Sequence, residues 1–451
     1  MRQGDLTQGP VMKTMLRFAV PMILGNLLQQ CYNVADTLIV GRFLGPDALA
    51  AVGSSFTLMT FLTSVLLGLC MGSGAVFSIR FGQRDERGLK EAVFASFVLV
   101  AAVTAVLNAL AFAGTNLIIR FLQVPAEVRG LMREYLVAIF CGIAATFLYN
   151  YFASLLRAVG NSVAPLAFLA VSAVLNIVLD LWFVLGLARG VAGAAEATVI
   201  SQYVSGVGLA AYTWLRCPGL RLQRVHCRLR LACLREIAGF SFLTCVQQSV
   251  MNLGILMVQG LVNSFGPTVM AAFAAAVKID AFAYTPAQDF GNAFSTFIAQ
   301  GRQARIRAGV KGAVLASFVF CSAVSAAVWV LAKPLMMLFV SEGETAILAE
   351  GVRYLHIEGA FYCGIGCLSL LYGLYRAVGR PGMSVVLTVI SLGTRVALAY
   401  VLSAVPAFGV TGIWWAVPIG WALADAVGLA YYCLRRGALL EGRGRLAVPA
   451  R

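Results

Sequence analysis

The chain has 451 residues, 60% of them hydrophobic and only 12% charged, with 34 Lys and Arg against 19 Asp and Glu and a formal net charge of +15. A charged share about half that of a typical soluble domain excludes a soluble fold. Apolar runs of about 20 residues exclude an outer-membrane barrel, whose strands alternate over about 10.

The expected class is an all-α integral membrane protein with twelve spans, near residues 14–39, 48–79, 91–113, 134–156, 163–185, 193–215, 237–262, 268–299, 312–332, 352–375, 382–404 and 411–434. The first ten residues carry no cleavage pattern, so span 1 is read as retained. Basic residues gather before span 1, in 80–90, at Arg157, in 216–235 and 302–311, at Arg376 and Arg380, and in the tail. Only Arg42, Arg120, Arg129, Arg133, Arg189, Lys333 and Arg353 fall on the other side, and Lys278 and Arg395 lie within spans. That bias places both termini in the cytoplasm, with anionic headgroups rather than nucleic acid as the contacts of the positive charge.

Span 1 carries Asn26, Gln29, Asn33 and Asp36 at spacings that share one helical face, with Pro21 upstream as a candidate hinge. The amides could serve as hydrogen-bonding glue between helices. A carboxylate inside a span is costly to bury, and by default it faces a cavity or the bundle interior and is functional. Span 4 offers Thr146, Asn150, Ser154 and Arg157. Span 5 aligns Ser172, Asn176 and Asp180, and span 6 aligns Thr198, Gln202 and Ser205. If Asp36 and Asp180 are neighbours, they need a shared proton or a cation whose shell the amide and hydroxyl oxygens complete. Glu196 is polar where an apolar residue is expected.

In the second half, span 7 carries Gln247, Gln248, Asn252 and Gln259. Span 8 carries Lys278, Asp280, Tyr284, Gln288, Asp289 and Asn292, with Pro286 among them. These read as cavity lining or buried ion pairs. Lys278 and Asp280 are two apart and cannot pair on one helix, so Arg395 is a candidate partner for Asp280. Lys278 and Arg395 are expected as the buried bases. Trp414, Trp415 and Trp421 are expected to pack or to sit at the membrane interface.

The halves repeat. Leu44-Gly45-Pro46 matches Phe265-Gly266-Pro267, Arg157-Ala-Val-Gly160 matches Arg376-Ala-Val-Gly379, Gly190-Val-Ala-Gly193 matches Gly409-Val-Thr-Gly412, and Val207-Gly-Leu-Ala210 matches Val427-Gly-Leu-Ala430. All are offset by about 220 residues. Two six-helix lobes related by a pseudo-twofold axis follow: residues 1–216, a basic loop 217–235, residues 236–434, and a basic tail 435–451. Across the repeat, Asp36 maps to Met257, Asn176 to Arg395, Asp180 to Ala399, Thr198 to Val417 and Gln202 to Trp421. The polar cluster is confined to the first half, so cation binding is expected there.

Enzyme chemistry finds no support. His226 and His356 are the only histidines, and no metal pair, phosphate loop or nucleophile elbow is present. The eleven Cys form no disulfide framework. Cys217, His226, Cys227 and Cys233 match no zinc spacing, so no metal is expected.

The chain resembles the multidrug and toxic compound extrusion (MATE) family over nearly all its length. The residues that carry the resemblance are Tyr32-Asn33-Val34-Ala35-Asp36-Thr37, Gly41-Arg42-Phe43-Leu44-Gly45, Ala48 to Gly53, Leu156 to Gly160, Asn176 to Asp180 and Gly190 to Thr198. Lys278-Ile279-Asp280 and Gln288 to Asn292 add to it in the second half. The resemblance implies a V-shaped pair of lobes and drug efflux by alternating access, driven by H⁺ or Na⁺. It is closest to the DinF-like branch, whose cation site falls on Asp36, Asn176, Asp180 and Thr198. The NorM-like branch instead has acids in spans 7 and 10, where this chain has only Glu358, near the expected start of span 10.

The resulting expectation is a monomeric, cation-coupled antiporter of amphipathic or cationic compounds in the bacterial inner membrane. It would use no cofactor beyond the coupling ion. Asn26, Gln29, Asn33, Asn150 and Gln202 would line its N-lobe cavity. The alternatives are a flippase for lipids or lipid-linked oligosaccharides, whose cavity should be strongly cationic, and, less favoured, a membrane-embedded transferase.

Overall fold

A computed structural model describes residues 6, 9–44, 46–121, 126–301, 303–340 and 342–441. Residues 1–5, Gly45 of the Leu-Gly-Pro motif, Arg302 of a basic segment and residues 442–451 of the expected tail lie outside the described residues. The described residues form helices and no strand. In chain order these are α1 (Val11–Phe43), α2 (Pro46–Gly82), α3 (Glu86–Phe121), α4 (Ala126–Cys141), α5 (Ile143–Ala158), α6 (Val163–Leu181) and α7 (Gly190–Arg216). There follow α8 (Leu231–Asn263), α9 (Pro267–Gln300), α10 (Gln303–Met337), α11 (Thr345–Gly359), α12 (Tyr362–Ala377), α13 (Pro381–Ser403) and α14 (Gly409–Glu441).

Among the described residues, nine helices are long and apolar enough to cross a membrane. Two bent pairs, α4 with α5 at 42° and α11 with α12 at 49°, bring the number to eleven if each pair is one span. The remaining expected span is α7, 27 residues long. Its apolar character is diluted by Glu196, Thr198, Gln202 and Ser205. α3 and α10 combine the highest mean hydropathy, 2.3, with only 28% and 17% burial. Helices that are apolar yet mostly uncovered by protein suit a hydrocarbon surround.

The chain divides into two compact units. One is Val20–Cys245; the other joins Leu6–Ala19 to the chain from Val246 onward. The division falls inside α1 and inside α8, so each of these helices belongs to both units. Pro21 lies just past the crossing point of α1.

The repeat is visible in the packing of each unit. In the first, α2 packs on α3, α4 and α5, and α7 on α4, α5 and α6. In the second, α9 packs on α10, α11 and α12, and α14 on α11, α12 and α13. The two elbows, at Gly142 and at Ala360–Phe361, are also about 220 residues apart.

The Arg-Ala-Val-Gly motifs are helix stops. Gly160 has φ +86° and Gly379 φ +79°, the left-handed conformation that glycine adopts without strain. Asn161 N–H donates to the Leu156 carbonyl at 2.8 Å, and Arg380 N–H to the Tyr375 carbonyl at 2.8 Å. These are the six-residue closures of Schellman caps, so the motif recurs because the same turn recurs.

The first unit is cored by aromatics around Tyr151, whose hydroxyl donates to the Val93 carbonyl at 2.6 Å and lies 2.9 Å from Ser96 Oγ. In the second, Trp414 is buried. It stacks on Phe273 with ring centroids 5.5 Å apart and donates to Glu350 Oε1 at 2.7 Å, a packing role as expected.

Candidate cation site

The polar residues of spans 1, 5 and 6 converge in the first unit. Asp36 on α1 and Asp180 on α6 lie within electrostatic reach of each other. Asp180 is fully buried. Both its carboxylate oxygens lack a hydrogen-bond donor, as do Asp36 Oδ1 and Asn176 Oδ1. Asn176 Nδ2 donates to Thr198 Oγ1 at 3.3 Å, which itself donates to the Ala194 carbonyl at 3.1 Å. That leaves Asn176 Oδ1 free, on a residue one helical turn before Asp180 on α6. The result is a buried set of hard oxygen acceptors with no protein donor among the described residues, a chemistry that fits H⁺ or a hard cation.

A second node lies beside it. Thr146 Oγ1 donates to Gln202 Oε1 at 2.9 Å, and Asn150 Nδ2 to the Thr146 carbonyl at 2.8 Å, tying α5 to α7. The stripe on α1 is less concentrated. Gln29 is exposed and next to Tyr32, while Asn26 and Asn33 are half-buried.

α6 ends just after Asp180 in a π turn, Trp182–Gly186, with Leu187 N–H donating to the Trp182 carbonyl at 3.0 Å. Such wide turns interrupt α-helices often at functional positions. Beyond the turn, Arg189 Nη2 pairs with Glu196 Oε1 at 2.9 Å, which explains the acid on α7.

The second unit holds a different carboxylate centre. Asp280 on α9 is buried and accepts from two tyrosines of the bent span, Tyr354 at 3.0 Å and Tyr362 through a short bond. Tyr354 also lies 2.7 Å from Glu358 Oε2. Glu358 is 2% exposed, and its other oxygen lacks a donor. The expectation that Glu358 sits near the start of span 10 is corrected: the span begins at Thr345, so Glu358 comes one residue before α11 ends at the elbow. Arg395 is within electrostatic reach of Glu358 and Tyr354, but its Nε has no partner. Among the described residues it forms no ion pair with Asp280.

Lys278 is also corrected. It is exposed, with Nζ 5.9 Å from the Phe339 ring centroid, because it lies two residues from Asp280 on α9 and so faces away from the buried side. Among the described residues, the buried base of this unit, with Arg395 only half-buried, is Arg376, whose Nη1 donates to Asn292 Oδ1 at 3.3 Å. Asp289 is buried, and Gln248, Asn252, Tyr284 and Gln288 are half-buried. Among the described residues, no group of three or more His, Cys, Asp or Glu side chains is placed to hold a metal ion.

The MatE family model matches residues 21–182 and again 241–401. The chain belongs to the MatE family. The Probable multidrug resistance protein YpnP of Bacillus subtilis is 31% identical, the alignment covering 87% of this chain and 88% of that protein. The Probable multidrug resistance protein NorM of Thermotoga maritima is 24% identical over 90% and 88%. A crystal structure of MATE in complex with MaL6 superposes with a TM-score of 0.92 at 23% identity, covering 98% of this chain and all of that one. An outward-facing multidrug resistance MATE transporter of the MOP superfamily gives 0.91 at 23% identity, covering 98% and 99%. At that identity the likeness establishes the fold alone, an all-helical one. The two matched segments begin 220 residues apart, as the internal repeat requires.

One residue at the site was missed from sequence. Tyr135, on α4 and 8% exposed, is in electrostatic reach of both Asp36 and Asp180. It fell at the edge of the expected span 4, beside Arg133 and Glu134, because the span was placed too late. The repeat held the clue: Tyr135 corresponds to Tyr354, which contacts the other carboxylate centre.

Proposed function

We propose that this chain is a secondary active multidrug efflux transporter that exchanges amphipathic or cationic compounds for H⁺ or Na⁺ by alternating access. One observation supports the reading: Asp36 and Asp180 are close enough to interact, and Asp36 Oδ1 and both oxygens of the fully buried Asp180 receive no hydrogen bond. Two bare carboxylates in a low dielectric repel, and uptake of a cation between them relieves that cost. Asp36 and Asp180 bind the coupling ion, Asn176 and Thr198 complete its shell, and Tyr135 borders it. The names of the multidrug-resistance relatives support the substrate class.

Cation uptake alters the fixed charge at the foot of the α1 stripe. The change is transmitted along α1 to Pro21, where a missing backbone hydrogen bond permits a bend. Asn26, Gln29, Asn33, Asn150 and Gln202 contact the substrate. The transporter works as a monomer in the bacterial inner membrane with both termini cytoplasmic, its basic loops against anionic headgroups, and it needs no cofactor beyond the ion.

The test is dye efflux from proteoliposomes under an imposed H⁺ or Na⁺ gradient, with Asp36→Asn alongside. Efflux driven by one gradient and lost in the variant supports the reading and names the ion. Absence of efflux under both gradients, across cationic dyes, overturns it in favour of a lipid-like substrate.

A further inference from the structure

Five arginines among the described residues form ion pairs, namely Arg80, Arg87, Arg189, Arg230 and Arg353, and their side chains are between 21% and 61% exposed. Arg376 is the reverse case. It is only 7% exposed, and among the described residues no carboxylate pairs with it. A guanidinium keeps its charge at any pH a cell meets. Unlike a buried acid, it cannot escape the cost of burial by becoming neutral.

Close backbone packing sets its place. Gly291 on α9 and Gly373 on α12 face each other: a β-carbon on Gly373 would stand 2.4 Å from the Gly291 carbonyl oxygen, and one on Gly291 2.6 Å from that of Ser369. Arg376 follows Gly373 by three residues, and Asn292 follows Gly291 directly. The two side chains are thereby held together, and Arg376 Nη1 donates to Asn292 Oδ1 at 3.3 Å. That is a long bond to a neutral amide. Arg376 Nε is buried and has no acceptor at all. The carbonyls at the end of α12 are engaged by the backbone of its cap: Leu374 by Val378 N–H at 2.9 Å, Tyr375 by Arg380 N–H at 2.8 Å, and Arg376 by Gly379 N–H at 3.3 Å. The counterpart in the first unit, Arg157, also has a bare Nε, but it is half-buried and so keeps part of its hydration.

The pair is not sealed off. Asn292, and Gln288 one turn before it on α9, are half-buried. With its Oδ1 turned to Arg376, Asn292 keeps amide N–H groups to donate elsewhere. A buried positive charge, a free guanidinium N–H and a neighbouring amide donor make up what an oxyanion needs.

We propose that Arg376 and Asn292 form an anion subsite of the second unit, which takes the carboxylate of a zwitterionic amphiphile. The guanidinium supplies the charge and its free N–H, and Asn292 supplies a neutral donor. The substrate range then extends from cations to compounds that carry an anionic group as well. That role rests on the transport reading above.

The probes are rhodamine B, which has a free carboxylate, and its ethyl ester, in which the carboxylate is masked. Binding to the protein in nonionic detergent is followed by fluorescence anisotropy. Arg376→Gln should weaken rhodamine B by about tenfold and the ester by less than about twofold, the loss of one charge-assisted contact that only the free acid makes. Asn292→Asp is the second variant, because it gives Arg376 a carboxylate of its own. The buried charge is then paired, the fold is kept, and the anion is excluded. The same selective loss of rhodamine B is expected. Equal loss of both dyes, or no loss, in folded Asn292→Asp overturns the subsite. So does displacement of rhodamine B, but not of its ester, by phosphatidylglycerol and not by phosphatidylcholine, which would assign the pair to a lipid phosphate. A wild type that binds the ester but not rhodamine B also overturns the subsite and leaves the transport reading standing. A wild type that binds neither dye overturns both.

Discussion

Each unit buries carboxylates on the same scaffold, and the buried aspartates Asp180 and Asp280 are partnered differently. In the first unit, Asp36 and Asp180 come from α1 and α6 and lie within electrostatic reach of each other, without a donor on Asp36 Oδ1 or on either oxygen of Asp180. In the second, Asp280 comes from α9 and receives hydroxyls from Tyr354 and Tyr362. A buried acceptor with no donor costs its full desolvation, whereas one that is satisfied internally does not. Asp180 keeps two bare oxygens where Asp280 has tyrosine donors, while Glu358 beside Asp280 keeps one bare oxygen. The corresponding tyrosines, Tyr135 and Tyr354, sharpen the contrast, since the same scaffold position borders both centres.

The largest effect should come from removing the charge at the first centre. Asp36→Asn, and separately Asp180→Asn, should abolish gradient-driven dye efflux while leaving the folded protein intact by size-exclusion chromatography in detergent. If either amide variant still couples, the first centre is not the ion site. Next come the neutral oxygens. Asn176→Ala should lower the affinity for the driving ion by about tenfold, the factor that roughly 1.4 kcal/mol represents. The readout is the ion concentration giving half-maximal efflux. Thr198→Ala should act through Asn176, because its hydroxyl takes the amide N–H and so orients the free oxygen. A shift equal in the two singles and no larger in the double variant would show that shared path. Tyr135→Phe should shift the same ion dependence by only a few fold, since its hydroxyl acts on the two carboxylates through electrostatic reach.

Much of this was legible in the sequence because hydropathy and spacing act locally. Asn176 and Asp180 share a face by helical periodicity, and the repeat isolated Asp36, Asp180 and Thr198 by comparison with Met257, Ala399 and Val417. The stops at Gly160 and Gly379 could be seen as a repeated motif, and their left-handed turns explain why it repeats. Hydropathy did not reveal the elbows. An apolar run looks the same whether it is straight or bent, so span 10 was started late and Glu358 was placed near its start instead of at its bend. Lys278 was read as buried because it lies within an apolar run. A span has an uncovered side as well as a buried one, and only the packing of α9 decides which side a residue takes. Tyr135 was hidden by the same late start of span 4.

The smallest effect on transport should come from the second centre, and its smallness is what tests the comparison. Tyr362→Phe removes one donor from Asp280 and leaves a buried acceptor short of a partner. That deficit costs roughly 1–3 kcal/mol in stability, so the variant should unfold at a lower temperature in detergent. Ion-driven efflux at a permissive temperature should stay near that of the wild type, because Asp280 works inside the unit and not on the ion. If Tyr362→Phe instead moves the ion dependence as far as Asn176→Ala does, the second centre also binds the coupling ion. The two units would then differ in how they hold their carboxylates, but not in what they use them for.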